Sequence, residues 1–420
     1  MKTVGIIAEY NPFHLGHAYH IQKAKEISGA DYCIVVMSGN YVQRGAPSIM
    51  DKYTRTRMAL ENGADIVFEM PCAFSTSAAP IFADSGVSIL NHLGCVDFLC
   101  FGSESYDLPG LFRIADILTN EPDDFKNLLQ NHLRLGNSYP KSIHMALYEY
   151  LETFCHDDKN LINIVSSPND TLAIEYLKAL LKYKSSITPI CVKREGNGYH
   201  ADSLDGKFAS ASAIRLTLEQ GLDIDIIKPF VPDNVYNLMN TNFHKTFPVT
   251  EDDFSFPLSM VLHCGHMING IDIAHAAEMT KELSDRIQKK LSELEPFSFS
   301  TLAEALKTKN ITRSRINRAL LHAMLGISNH DMNLFESFDF CPYARLLGFK
   351  KASSQLLHVI KENADIPMLT KMADASNKLN EEGNKLLSHE LNAAFLYRQA
   401  VFCRFGATIP DEYRVGPVIM

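Results

Sequence analysis

The sequence predicts a doubly wound α/β fold, a parallel sheet with crossover helices, joined to a mostly α-helical C-terminal domain. Three observations carry that prediction. Short β-branched runs alternate with helical stretches through the first 110 residues, one more strand-like run follows a helical interval, and beyond residue 245 such runs become few. Taken in order, Thr3–Ala8 reads as the first strand, Gly16–Ile27 as a helix, Asp31–Met37 as the second strand and Lys52–Glu61 as a helix. Ala64–Phe68 and Val96–Phe101 are further strands, separated by an Ala- and Ile-rich helix over Ala78–Leu93. Leu108 to Phe154 is mainly helical, Ile187–Lys193 returns to strand character, and a helix opens near Ser210. The late strand implies that the sheet is completed only after a helical insertion.

At Phe243–Pro257 two prolines and an acidic cluster interrupt any periodicity, so the domain boundary is placed there: residues 1–245 and 246–420. Asp285–Leu294, Thr301–Lys307, Arg313–Leu325, Ser353–Ile360 and Ser388–Phe402 are the expected helices of the second part. A chain of 420 residues, 46% hydrophobic and 21% charged, has the composition of an ordinary folded protein. The net charge of −9 excludes a coat of basic charge for indiscriminate nucleic-acid binding, although a sum can hide a local patch. Nine cysteines without a CxxC pair fit neither a disulfide framework nor a zinc finger and are expected as small reduced core residues. With no signal peptide and no long apolar run, the expectation is a cytoplasmic protein that does not enter membranes.

The strongest local signal is Asn11-Pro12-Phe13-His14-Leu15-Gly16-His17, between the first strand and the first helix. In an α/β sheet, ligands sit beyond the carboxyl ends of the strands, and a helix N-terminus offers free N–H groups to phosphate. Gly16 leaves room for a nucleotide against backbone. His14 and His17, three apart on the first turn, are placed to donate to phosphate oxygens that gain charge as phosphorus is attacked. With 16 His and 22 Gly in the chain, about 0.03 HxGH tetrapeptides are expected by chance. A metal site at His14, His17 and His20 is the weaker reading, because the third ring rotates off the face of the first two and no further ligand completes a set. No metal-ligating residue is assigned.

Ser210-Ala211-Ser212-Ala213-Ile214-Arg215 resembles the S-x-[ST]-x-[IL]-R motif that accompanies HxGH in the nucleotidyltransferase superfamily. Small hydroxyl residues cap a helix there and Arg215 brings a fixed charge to phosphate, although such a stretch alone is also a plain helix start. Gly102 ends a strand where backbone can approach a nucleobase or ribose, Asn169 precedes a long helix, and Arg194 ends the late strand. Each has an ordinary structural alternative: a turn, a helix cap, an exposed strand-end charge. The loop Ser38–Gly45 lies at the same edge. In the C-terminal half, Lys307, Lys309, Arg313, Arg315 and Arg318 fall within twelve residues free of acidic side chains, and residues 307–351 carry a net charge of +5. Such a patch can track a phosphate backbone, or be a solvated helix face.

With these motifs in view, the phrases GIIAEYNPFHLGH, MSGNYVQRGAPS, SPNDTLAIEYLKAL and TRSRINRALLH make the chain resemble the bacterial tRNA(Met) cytidine acetate ligase family over essentially its whole length. The resemblance implies a nucleotidyltransferase-like, HIGH-type Rossmann-like catalytic domain. It also implies activation of acetate by ATP as acetyl-adenylate, with Mg2+, and acetyl transfer to N4 of the wobble cytidine of elongator tRNA(Met). Carried over by motif, the ATP site corresponds to Ile7, Ala8, Glu9, Tyr10, Asn11, Pro12, Phe13, His14, Leu15, Gly16, His17, Ala18, Tyr19 and His20, with Gly102, Asn169, Arg194 and Glu195. His14, His17, Ser210, Ser212 and Arg215 are the catalytic candidates, and the five basic residues from Lys307 to Arg318 the RNA-binding ones. Two other classes stay open at this point: a nucleotidyltransferase that condenses a nucleotide with a small substrate, and a non-catalytic RNA-binding protein on a nucleotide-binding scaffold.

Overall fold

The computed structural model describes residues 1–154, 161, 164, 168–194, 204, 208–269 and 272–420. Its sheet has eight strands: β1 (Thr3–Ala8), β2 (Tyr32–Ser38), β3 (Ile66–Met70), β4 (Phe98–Ser103), β5 (Thr188–Lys193), β6 (Ala344–Phe349), β7 (Met368–Leu369) and β8 (Val418–Ile419). The helices that matter below are α1 (Leu15–Ser28), α2 (Lys52–Glu61), α3 (Ala79–His92), α4 (Pro168–Lys182), α5 (Ala211–Glu219), α6 (Arg313–Leu325) and α7 (Glu381–Phe405).

Parallel strands covered on both faces need apolar side chains in both directions, which is why β2 reads YCIVVMS without polar alternation. Ile34 and Val36 face one core with Ile66 and Phe68. Cys33, Val35 and Met37 face the other with Val4 and Ile6. Each such side chain, 0% exposed here, contributes about 1.5–3 kcal/mol of burial.

The strand order is β8-β6-β3-β2-β1-β4-β5, with β7 beside β6. The chain runs from β1 to β2 and β3 on one side, then returns to lay β4 and β5 parallel on the other. The order therefore reverses between β1 and β4, and the crevice beyond their carboxyl ends is where such folds bind ligands. As expected, β5 joins the sheet only after a helical insertion, which among the described residues comprises Leu108–Asn120, Asp123–Arg134, Tyr139–Phe154 and α4.

The segment beyond residue 245 is mostly helical, yet it returns three strands to the sheet, which the scarcity of β-branched runs there did not predict. β6 pairs antiparallel with β3, matching Ile66 to Phe349 and Glu69 to Arg345. Its sequence, ARLLGF, contains no β-branched residue. The open edge of β3 makes it a strand, overriding local propensity. Of the cysteines, Cys33, Cys72, Cys100, Cys191 and Cys341 are buried as expected, whereas Cys403 is exposed; Cys155 lies outside the described residues.

Where β3 meets β6, five charged side chains are buried together. Lys52 Nζ lies 2.7 Å from Glu69, 3.3 Å from Glu390 and 3.2 Å from Glu412. Arg345 pairs with Glu69 at 2.9 Å and with Glu412. Burial and the neighbouring Glu69 push Glu390 up to about 8, favouring its protonated form, while Lys52 and Arg345 pull Glu412 down to about 2 against its burial. A proton retained on Glu390 brings the acids of the cluster closer in charge to its two cations, Lys52 and Arg345.

Candidate functional site

The loop after β1 is held by an arginine. Arg55, on α2 and 0% exposed, donates to the carbonyl oxygens of Glu9 (2.5 Å), Ser38 (3.1 Å), Gly39 and Met50 (3.1 Å). It thus ties the ends of β1 and β2 to one guanidinium. Glu9 Oε1 accepts from the Gln43 N–H at 2.8 Å and Asn11 Oδ1 from the Ile49 N–H at 2.9 Å, fastening the same loop to the Ser38–Gly45 segment and its continuation. Tyr10 and Phe13 are buried, with ring centroids 4.9 Å apart. Their side chains serve the scaffold.

His14 caps α1. Its Nδ1 accepts from the Gly16 N–H at 3.1 Å, and the His14 N–H donates to Nδ1 of His17 at 3.3 Å. The two rings stack with centroids 3.6 Å apart and 23° between their planes. Burial, aided by Arg194 and Arg215, lowers His14 to about 3. Burial, then His14, His20 and Arg194, holds His17 well below the usual range, and burial with Arg194 lowers His20 to about 4. A neutral ring whose Nδ1 accepts carries its proton on Nε2. Both histidines are therefore uncharged Nε2–H donors. A Cβ on residue 16 would sit 2.9 Å from His14 Cε1, so a larger residue there would push the capping ring aside. His20 Nε2 lies 3.4 Å from Cys100 Sγ on β4, across the reversal point.

Ser210 caps α5, accepting from the Ala213 N–H at 3.0 Å. Ser212 Oγ accepts from Arg215 at 3.1 Å, and Arg215 donates to the Asn11 carbonyl oxygen at 2.6 Å. The two motifs, about 200 residues apart in sequence, thus meet at the first loop. At the end of β4, the Arg194 N–H donates to the Ser103 carbonyl oxygen at 3.0 Å, and Arg194 Cγ lies 3.2 Å from where a Cβ on Gly102 would be. Gly102 and Arg194 are neighbours. Asn169 lies in the first turn of α4; its side chain, and Glu195 entirely, lie outside the described residues.

Two positioning residues were missed by the sequence reading. Nothing in KYTRTRMALE separates the buried Arg55 from the surface Arg57. Asp170, beside Asn169, is 1% exposed and accepts from Ser103 Oγ (2.7 Å) and from the N–H groups of Glu104 (3.1 Å) and Ser105 (3.0 Å), shaping the turn after Gly102.

The five basic candidates sort into two kinds. Arg313 pairs with Glu251 and with Glu304 (3.2 Å), Arg318 with Glu278 (2.7 Å), and Lys307 with Glu304 (3.4 Å). Arg315 and the exposed Lys309 have no ion pair among the described residues. The α6 backbone touches the loop after β2: a Cβ on Gly45, at φ +73°, would lie 2.3 Å from the Arg318 nitrogen.

A doubly wound sheet with paired neutral histidines opening the helix after β1, and an arginine from a later helix reaching the same loop, defines a nucleotide-binding class of site. The family model for HIGH Nucleotidyl Transferase matches residues 1–406. A tRNA(Met) cytidine acetate ligase of Acetivibrio thermocellus is 37% identical over 401 residues, 94% of each chain, and one of Thermoanaerobacter sp. is 38% identical over 402 residues, covering 95% of this chain and 96% of its own. The crystal structure of Thermotoga maritima TmcAL without ligand superposes with a TM-score of 0.93 at 28% identity over all of both chains, and that of the same protein bound with alpha-thio ATP with 0.90 at 27%, again over all of both. The chain belongs to the HIGH nucleotidyl transferase family and, within it, to the tRNA(Met) cytidine acetate ligases.

Proposed function

We propose that this chain is an ATP-dependent ligase that activates acetate as acetyl-adenylate and transfers the acetyl group to N4 of the wobble cytidine of elongator tRNA(Met) in the cytoplasm. The observation that carries the reading is the pair of Nε2–H donors at the crevice between β1 and β4, with Arg215 fixed to the Asn11 carbonyl beside them. ATP would lie along the loop from Ile7 to His20, with its base or ribose near Gly102 and Asn169 and its phosphates toward His14, His17, Arg194 and Arg215. Mg2+ enters as MgATP; among the described residues no group of three or more His, Cys, Asp or Glu gathers to hold a metal. Bound this way, the ion would neutralise phosphate charge while His14, His17, Arg194 and Arg215 hold the nucleotide.

In the first step an acetate oxygen bonds to the α-phosphorus as the bond to the β-phosphate oxygen breaks and pyrophosphate leaves. Positioning and charge stabilisation are what the enzyme must supply, and neutral Nε2–H donors with a fixed guanidinium supply both. In the second step the exocyclic amine bonds to the acetyl carbon, AMP leaves and the amine proton goes to solvent. The cytosine must be unstacked for this, as bases in RNA loops can be. Residues 246–420, with α6 against the loop after β2, would hold the RNA.

Acetate-dependent ATP–pyrophosphate exchange, run with a panel of carboxylic acids and with or without tRNA, tests the reading. Exchange with acetate and acetylation of tRNA(Met) are expected. Absence of exchange with every carboxylate would remove the ligase and leave a transferase that condenses a nucleotide with a small substrate.

A further inference from the structure

An open pocket of about 360 Å³ lies between α7 and the C-terminal segment, lined by Asn392, Phe395 and Arg398 on one side and Asp411, Glu412 and Tyr413 on the other. Phe395 is 54% exposed and Tyr413 60%, unusual for large rings that share one concavity. Arg398 donates to the Ile409 carbonyl oxygen at 3.2 Å and pairs with Asp411 at 2.5 Å, so the two walls are fixed to each other. The side chains of the exposed Asn392 and of the exposed Arg414 next to Tyr413 have no hydrogen-bond partner among the described residues.

The pocket's place is informative. Glu412 accepts from Tyr53 at 2.9 Å and lies 3.2 Å from Lys52, and the Lys52 N–H donates to Asn40 Oδ1 at 2.9 Å in the loop after β2. Arg345, which also pairs with Glu412, sits opposite Glu69 near the carboxyl end of β3. The pocket therefore opens at the same sheet edge as the nucleotide crevice. From β1 to β6 is three strand spacings, roughly 14–15 Å, which sets the scale of the separation along the sheet.

We propose that this pocket is a second RNA subsite, taking one unstacked base of the tRNA that flanks the acceptor cytidine; the proposal rests on the reading above. Phe395 and Tyr413 offer ring faces for stacking and Asn392 an amide for a base edge. Aromatic faces with adjustable polar groups are how proteins hold single-stranded bases. A stable protein partner buries about 800 Å² on each side, a far larger surface than one concavity.

The test is tRNA binding and acetylation by full-length Phe395→Ala and Tyr413→Ala, with Phe395→Tyr and Tyr413→Phe as ring-preserving variants and exchange without RNA as the measure of folding. The alanine variants should raise KM for tRNA about 5- to 100-fold, the worth of a base–aromatic stack, and the ring-preserving ones should restore it. An unchanged KM in both alanine variants, in a wild type that acetylates tRNA, overturns the subsite and leaves the function intact. Altered sedimentation of the protein alone with unchanged KM identifies a protein contact and also overturns it. A wild type that neither binds nor acetylates tRNA overturns both.

Discussion

The Arg215 guanidinium donates to the Asn11 carbonyl oxygen at 2.6 Å, so a residue from α5 completes the loop that opens α1. The same side chain donates to Ser212 at 3.1 Å. Arg215→Lys keeps the charge and loses the fork that holds both acceptors. Exchange should fall about 10²- to 10³-fold in Arg215→Ala, the usual loss for a charge-stabilising donor, and the lysine variant should recover little of it. Full exchange in the lysine variant would mean that charge alone matters there.

The histidines should act as neutral donors. His14 stays uncharged down to about pH 3 and His20 to about 4, so kcat/KM for ATP should show no break at the ordinary histidine value near pH 6.5. A descending acid limb centred there would contradict the Nε2–H assignment. His17→Gln, which keeps an N–H near Nε2, should retain more exchange than His17→Asn, which keeps only an acceptor near Nδ1; His17→Ala should abolish adenylate formation and leave tRNA binding in place. Because the folded chain refuses protons that the unfolded chain takes up below pH 6.5, these rings also make stability fall as pH falls from 6.5 toward 4.

Glu390 has the opposite sense. Its folded value of about 8 lies above the unfolded one, so the folded chain holds a proton that the unfolded chain releases, and stability declines as pH rises from about 4.5 to 8. Glu390→Gln keeps an acceptor for the Cys72 N–H, now at 2.7 Å, without titrating. Its melting temperature relative to wild type should rise steadily between pH 5 and 8. Parallel melting curves would show that the proton is not held there. Lys52→Met, which strips one cation from the cluster, should cost about 3–5 kcal/mol in chemical unfolding.

The basic helix should split by pairing. Lys309→Ala with Arg315→Ala should weaken tRNA binding and reduce the slope of log Kd against log salt by up to about 1 per lost phosphate contact. Arg313→Ala and Arg318→Ala should act mainly on folding, because they remove the ion pairs of Glu251 and Glu278. Filter binding at several salt concentrations separates the two. Equal effects on the salt slope from all four would return the patch to a single phosphate track.

Much of this was legible in the sequence because it rests on local rules. The β-branched runs gave β1, β2 and β5, and both motifs could be placed at helix starts, since a strand-to-helix turn and a serine cap leave marks within a few residues. What stayed hidden depends on pairing across the chain. Arg55 is indistinguishable from Arg57 until β1 and β2 lie beside α2, and β6 is a strand only because β3 offers an open edge. The basic run overstated its free charge because Glu251 and Glu278 come from distant segments. Gly16 answers to the ring of His14, a contact that no spacing rule contains.

The antiparallel pairing of β6 with β3 also has a mechanical meaning. Residues on either side of position 245 share one hydrogen-bonded sheet, and the cluster from Lys52 to Glu412 rivets them again beneath it. Two halves built this way cannot swing about a linker like the jaws of a clamp. Whatever movement a tRNA requires is therefore not a hinge at residue 245.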